Sequence, residues 1–130
     1  MNKNPMIVFV CEHGAAKSIL AAAYFNKLAR EANLSLRAIA RGTHPDAELS
    51  SQTIGGLTED GLTPTESIPI KLTREETESV QRIISFCDLP EEYRQKTILE
   101  QWLDIPPVSE DYKKSRDAIV ARLEKLIDTL

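Results

Sequence analysis

Cysteine is scarce: Cys11 and Cys87 are the only two in 130 residues. That excludes a disulfide framework, and in a reducing compartment each is either a buried small hydrophobe or a reactive thiol. Positive charge is also short. The 16 Lys and Arg against 20 Asp and Glu leave a net charge of −4. General binders of nucleic acid or anionic membrane are usually basic, so neither partner is expected. No apolar run approaches the roughly 20 residues that cross a bilayer. The N-terminal run at 6–10 flows straight into a polar stretch and does not read as a signal peptide, which makes the cytoplasm the expected location. His13 and His44 do not fall at zinc-ligand intervals from either cysteine, and neither a metal nor an organic cofactor is expected. No repeat, low-complexity tract or linker divides the chain, so it reads as one domain over 1–130.

What is present is an alternation of apolar patterns. Residues 6–10 (Met-Ile-Val-Phe-Val) are continuously apolar and rich in β-branched side chains, as in a strand buried on both faces. Residues 18–31 carry Ile19, Leu20, Ala23, Tyr24 and Leu28 at helical spacing. A second strand is expected over 34–40, followed by a turn at 41–45. A weaker helix spans 50–59, since Gly55 and Gly56 each cost about 1 kcal/mol relative to alanine, and Gly61 can stop it. Thr73 and Glu76 form a capping-box pattern opening a short helix to about 79. A third strand is expected over 80–87, a short helix over 90–95 and a fourth strand over 97–102. Asp104, Ile105, Pro106 and Pro107 make a rigid loop. Residues 109–130 form a long amphipathic helix whose stripe includes Ile119, Leu123 and Leu126. Strands alternating with helices imply an α/β fold, a parallel sheet covered on both faces. Ligands of such sheets sit beyond the carboxyl ends of the strands.

The loop after the first strand is therefore placed for chemistry. Cys11 is followed by Glu12, His13, Gly14, Ala15, Ala16, Lys17 and Ser18. The small residues let backbone N–H groups point into one concavity, and the helix N-terminus adds its dipole: together they make an anion nest. A cysteine at its lip should favour the thiolate. Lys17 adds a positive charge, and Ser18 can cap the helix or donate to the sulfur. Burial of Cys11 among merely packing residues is the plain alternative.

Cys11-x5-Lys17-Ser18 resembles the Cys-x5-Arg-Ser loop of the low-molecular-weight protein tyrosine phosphatases and the related thiol-dependent arsenate reductases. Length, element order, the early position of the loop and the late proline loop are similar as well. The resemblance implies a three-layer sandwich with a four-stranded parallel sheet, of flavodoxin-like type. It also implies Cys11 as nucleophile toward a phosphoryl or arsenate centre, with residues 12–17 holding the oxyanion. A phosphorylated protein or a small oxyanion would be the substrate, and a thiol reductant would be needed only on the reductase reading.

The chain departs from that pattern at several positions. Lys17 stands for the family's arginine, giving a point charge in place of a planar fork. His13 and Gly14 replace the Gly-Asn pair whose asparagine braces the loop, and Ala40 falls where its serine partner would be, so the brace is lost or rebuilt. Arg41, at the end of the second strand, either supplies the missing guanidinium or is a solvated strand-end residue. Matching from Trp102 puts Pro106 at the place of the family's acid, leaving Asp104, two residues earlier, as the candidate proton donor, with Asp111 weaker. Cys87 matches a redox cysteine of the reductase branch, but no third cysteine completes a relay. A buried structural thiol is the alternative. Three functions follow: a cysteine-dependent phosphatase or reductase, a weak or inactive oxyanion-binding relative, or a redox sensor using Cys11 and Cys87.

Overall fold

Hydrophobic alternation in the first strand organises the molecule. The computed structural model describes residues 4–94 and 98–130. Strand β1 (Asn4–Cys11) sends Ile7, Phe9 and Cys11 into one core and Val8 and Val10 into another. Both sets are fully or almost fully buried, as a strand covered on two faces requires. The remaining strands, β2 (Arg37–Gly42), β3 (Val80–Ser85) and β4 (Ile98–Gln101), join it in the order β2-β1-β3-β4. Every pairing is parallel.

The larger core lies under α1 (Lys17–Glu31), α2 (Ser51–Glu59) and α4 (Tyr112–Asp128). Its aromatic centre is Phe9, with ring centroids 6.1 Å from Phe25, 6.3 Å from Phe86 and 6.1 Å from Trp102. The smaller core, with Leu72, Val80, Ile83, Leu89 and Tyr93, lies on the side of α3 (Arg74–Ser79) and a 3-10 turn at Glu91–Tyr93. The result is the three-layer, flavodoxin-like α/β sandwich with four parallel strands.

Several boundaries move for physical reasons. Strand β2 begins at Arg37, because Asn33 ends α1 in the left-handed region (φ 58°) and the amide of Leu34 folds back onto Ala29 O at 2.8 Å. It runs on through Gly42, where a turn was expected, because Gly42 also bridges to Lys71 on the outer side. Helix α4 starts at Tyr112, after Asp111 caps it by accepting from the Lys114 amide at 3.1 Å. The Thr73–Glu76 capping box forms with both of its bonds. Gln95, expected to close a short helix, and Thr97, expected to open β4, lie outside the described residues.

In this strand order the chain leaves β1 for β2 on one side and leaves β3 for β4 on the other. The crevice between β1 and β3 at their carboxyl ends is the switch point where such sheets bind ligands. Cys11 ends β1, and Phe86 and Cys87 follow β3.

Candidate functional site

A cavity of about 710 Å³ opens at that switch point, within the usual range for small-ligand sites. Its floor and walls come from the loop after β1 (Cys11, Glu12, His13, Ala15, Ala16, Lys17), the segment after β2 (46–50), Phe86 and Cys87 after β3, and Pro107, Val108 and Ser109 before α4.

The loop is built by its carbonyls. Cys11 O accepts from the Thr43 amide at 3.3 Å, Glu12 O from His44 at 2.7 Å, His13 O from Asp46 at 3.0 Å and Ala15 O from Ser50 at 2.9 Å. Ala16 O accepts the first helical bond, from Leu20, at 2.9 Å. In a planar trans peptide the N–H points opposite to the C=O, and no described peptide bond is cis. With these carbonyls drawn outward, the N–H groups of Glu12, His13, Gly14, Ala16 and Lys17 face the other way. None of them meets a protein acceptor among the described residues. Helix α1 starts on Ala16 without a side-chain cap and with no acidic residue in its first turn, whereas α2, α3 and α4 are each capped by a side chain. Open N–H groups, an uncapped helix and the cation Lys17 at its first position form a concavity suited to an oxyanion.

The loop is braced by glycine against glycine. Gly14 turns the chain at φ 62°, and its backbone lies against Gly42: a Cβ on Gly42 would sit 2.6 Å from Gly14 N, and one on Gly14 would sit 2.9 Å from Gly42 N. That contact and the carbonyl bonds to 43–50 stand where the resemblance implied an asparagine–serine pair, so the brace is rebuilt from backbone.

Cys11 Sγ lies 3.1 Å from Ser18 Oγ, and Ser18 is fully buried. The serine thus meets the sulfur and does not cap the helix. Cys87 lines the same cavity, half-buried. Burial pushes its thiol up; a contact with Ser85 Oγ (3.5 Å) opposes this in part, while Cys11, Glu12 and Asp88 add to it.

Of the residues singled out from sequence, Cys11, Glu12, His13, Ala15, Ala16, Lys17 and Cys87 come together around the cavity, with Gly14 and Ser18 behind it. Two expectations are corrected. Arg41 does not reach the loop: its guanidinium binds Glu76 at 2.8 Å and Glu66 at 3.0 Å, which neutralise it away from the cavity. Asp104 does not line the cavity either. It is exposed and held by Arg122 at 2.6 Å and 2.7 Å. Trp102 is core, 5% exposed, and Asp111 is a helix cap. The stretch 43–50, read from sequence only as the end of a turn at 45 and the start of a helix at 50, supplies the clamp on the loop and the rim carboxylates Asp46 and Glu48. Its signal was position alone: it follows the neighbouring parallel strand and so emerges at the same edge. Among the described residues no group of three or more His, Cys, Asp or Glu is placed to hold a metal. No described helix is long and apolar enough to cross a membrane.

A parallel sheet with a thiol beneath a loop of open amides, at the switch point of its strands, is the architecture of the small cysteine-centred α/β proteins. The model of the family "Low molecular weight phosphotyrosine protein phosphatase" matches residues 6–130, and the chain belongs to that family. Among solved structures it is similar to a low molecular weight protein tyrosine phosphatase from T. tengcongensis, at TM-score 0.86 and 18% identity, over 96% of this chain and 99% of that one. An arsenate reductase from Archaeoglobus fulgidus matches at TM-score 0.80 and 24% identity, over 94% and 98% of the two chains. A low molecular weight protein tyrosine phosphatase from Bacillus subtilis matches at TM-score 0.80 and 17% identity, over 95% of each. At such identities the likeness speaks for the fold, which carries both kinds of activity.

Proposed function

We propose that this protein is a cysteine-dependent phosphatase that forms a thiol–phosphoryl adduct at Cys11. The observation that carries this reading is the loop itself: a sulfur 3.1 Å from a buried hydroxyl, under peptide N–H groups that have no acceptor among the described residues. Cys11 attacks phosphorus as the thiolate, with Ser18 donating a hydrogen bond to the sulfur. The loop amides and Lys17 hold the phosphoryl oxygens, and fixed donors of this kind supply much of the stabilisation of a phosphoryl transition state. The substrate is a phosphorylated protein or a small oxyanion, in keeping with the family.

The test is hydrolysis of an aryl phosphate by the wild type and by Cys11→Ser. Turnover that vanishes in the variant supports the reading; equal rates exclude a covalent cysteine mechanism. A second reading, an oxyanion-binding relative with little turnover, is favoured by one observation: Arg122 holds Asp104 outside the cavity, and the late loop presents Pro107, Val108 and Ser109 there. Lys17→Arg separates the two. A large gain in turnover marks a weakened phosphatase, and no gain a site given over to binding. The sharing of one cavity by Cys11 and Cys87 keeps the redox reading testable, by mass spectrometry after mild peroxide.

A further inference from the structure

A phosphatase mechanism needs a proton for the leaving oxygen, and the late loop brings no carboxylate to the cavity. Among the residues that do line it, His13 stands apart. Its Nδ1 lies 3.2 Å from Asp46 Oδ1, and its carbonyl accepts from the Asp46 amide at 3.0 Å. The pair is thus clasped at two points, once through backbone and once through side chains. Both side chains are more than half exposed at the rim (59% and 55%), and Nε2 has no partner among the described residues. A carboxylate on one imidazole nitrogen fixes the tautomer and ring orientation and leaves the other nitrogen to exchange a proton. His13 also sits two residues from Cys11 on the rigid loop, so its position is tied to that of the nucleophile. The competing carboxylates, Glu12 and Glu48, line the cavity without a side-chain hydrogen bond or ion pair among the described residues to fix them.

Resting on the phosphatase reading, we infer that His13 is the proton-transfer residue of this site and Asp46 its positioning residue. In the first step Cys11 Sγ forms a bond to phosphorus, the phosphorus–oxygen bond to the leaving group breaks, and His13 Nε2–H protonates the departing oxygen. In the second, water attacks phosphorus, its proton returns to His13 Nε2, and the sulfur–phosphorus bond breaks. Phosphate and the thiolate are released, so charge and protons balance over the cycle.

A comparison of leaving groups tests this. Phenyl phosphate, with a poor leaving group, needs the proton; dinitrophenyl phosphate does not. For His13→Ala, kcat/KM on phenyl phosphate should fall by about 10²-fold or more. On dinitrophenyl phosphate kcat/KM should hold while kcat falls, because adduct hydrolysis then lacks its base. Added imidazole should restore part of the loss, and inhibition by inorganic phosphate should be unchanged. Asp46→Asn should show the same selectivity with a smaller loss. Equal losses on both substrates, no loss on either, or the selective signature in Glu12→Gln or Glu48→Gln but not in His13→Ala would each overturn the assignment while leaving the phosphatase reading intact. Absence of Cys11-dependent hydrolysis in the wild type would remove that reading and this inference with it.

Discussion

Gly42→Ala is the most informative single-atom change to the loop support. The new Cβ would lie 2.6 Å from Gly14 N, 2.8 Å from Gly14 Cα and 2.9 Å from the carbonyl carbon of His13. Ordinary carbon contacts lie near 3.5–4.0 Å, so the two backbones must separate by about 1 Å. Neither side yields easily. Gly42 is registered on Cys11 in the sheet and bonded on its outer side to Ile70 O and by the Leu72 amide, both at 2.9 Å. The loop is tied down by its carbonyls. Overpacking of this kind costs about 1–3 kcal/mol, or roughly 4–12 °C in Tm for a chain of this size. The displacement falls on the amides that face the anion, and a misplacement of about 1 Å in a catalytic constellation can cost ~10²-fold in rate. Thermal unfolding with and without inorganic phosphate, together with aryl phosphate kinetics, reads both effects. Gly55→Ala is the control: its Cβ meets nothing within 4 Å in the middle of α2, and it should stabilise by about 0.5–1 kcal/mol. A Gly42→Ala protein with wild-type Tm and wild-type phosphate affinity would refute the glycine brace.

Three further outcomes are expected. Arg41→Ala should leave phosphate affinity unchanged but destabilise by about 3 kcal/mol in urea melts, because it strands the Glu66 carboxylate, only 8% exposed, without its partner. Thr53→Val should raise stability by about 1 kcal/mol in the same assay, since Thr53 Oγ1 is buried without a partner among the described residues. The cluster joining α1, α2 and α4 through Asp60 should set the pH limits of the fold. Burial works against the Asp60 charge, yet hydrogen bonds from Tyr24, Tyr112 and Arg116 outweigh it and hold its carboxyl below the ordinary range. Its stabilisation is therefore complete above about pH 4, the unfolded value, and lost as pH falls from there through the folded value. Burial first, and the Asp60 contact second, push Tyr24 up to about 12 and Tyr112 higher still. Their stabilisation holds below about pH 10, the unfolded value, and fades as pH rises through the folded ones. Asp60→Asn should flatten the acid limb of a stability–pH profile measured by urea melts and reduce the alkaline limb, whose burial component stays.

Much of this architecture is written locally. The apolar run ending at Cys11, the helical spacing from Ile19 to Leu28 and the Thr73–Glu76 cap are each decided by near neighbours, and each forms as the pattern implies. The loop was legible for the same reason, since strand, small residues and helix follow one another directly. Arg41 and Asp104 were not. Residue type and position put a cation and a carboxylate near the strand ends, but their direction is set by Glu66, Glu76 and Arg122, which lie 18 to 35 residues away in sequence. The clamp of 43–50 on the loop is likewise invisible in sequence. It consists of backbone amides meeting backbone carbonyls, and any residue but proline would serve at the donating positions. Gly42 carries a trace of it: only its lack of a side chain lets β2 come so close to Gly14.

Every catalytic role proposed for this site depends on Cys11 taking the phosphoryl group onto its sulfur. Acid quench of the wild-type protein during turnover of dinitrophenyl phosphate, followed by mass spectrometry of the peptide that contains Cys11, tests it most directly. A covalent mechanism gives a phosphorylated Cys11 that forms and decays at rates compatible with turnover. Sustained hydrolysis with Cys11 never modified would contradict it.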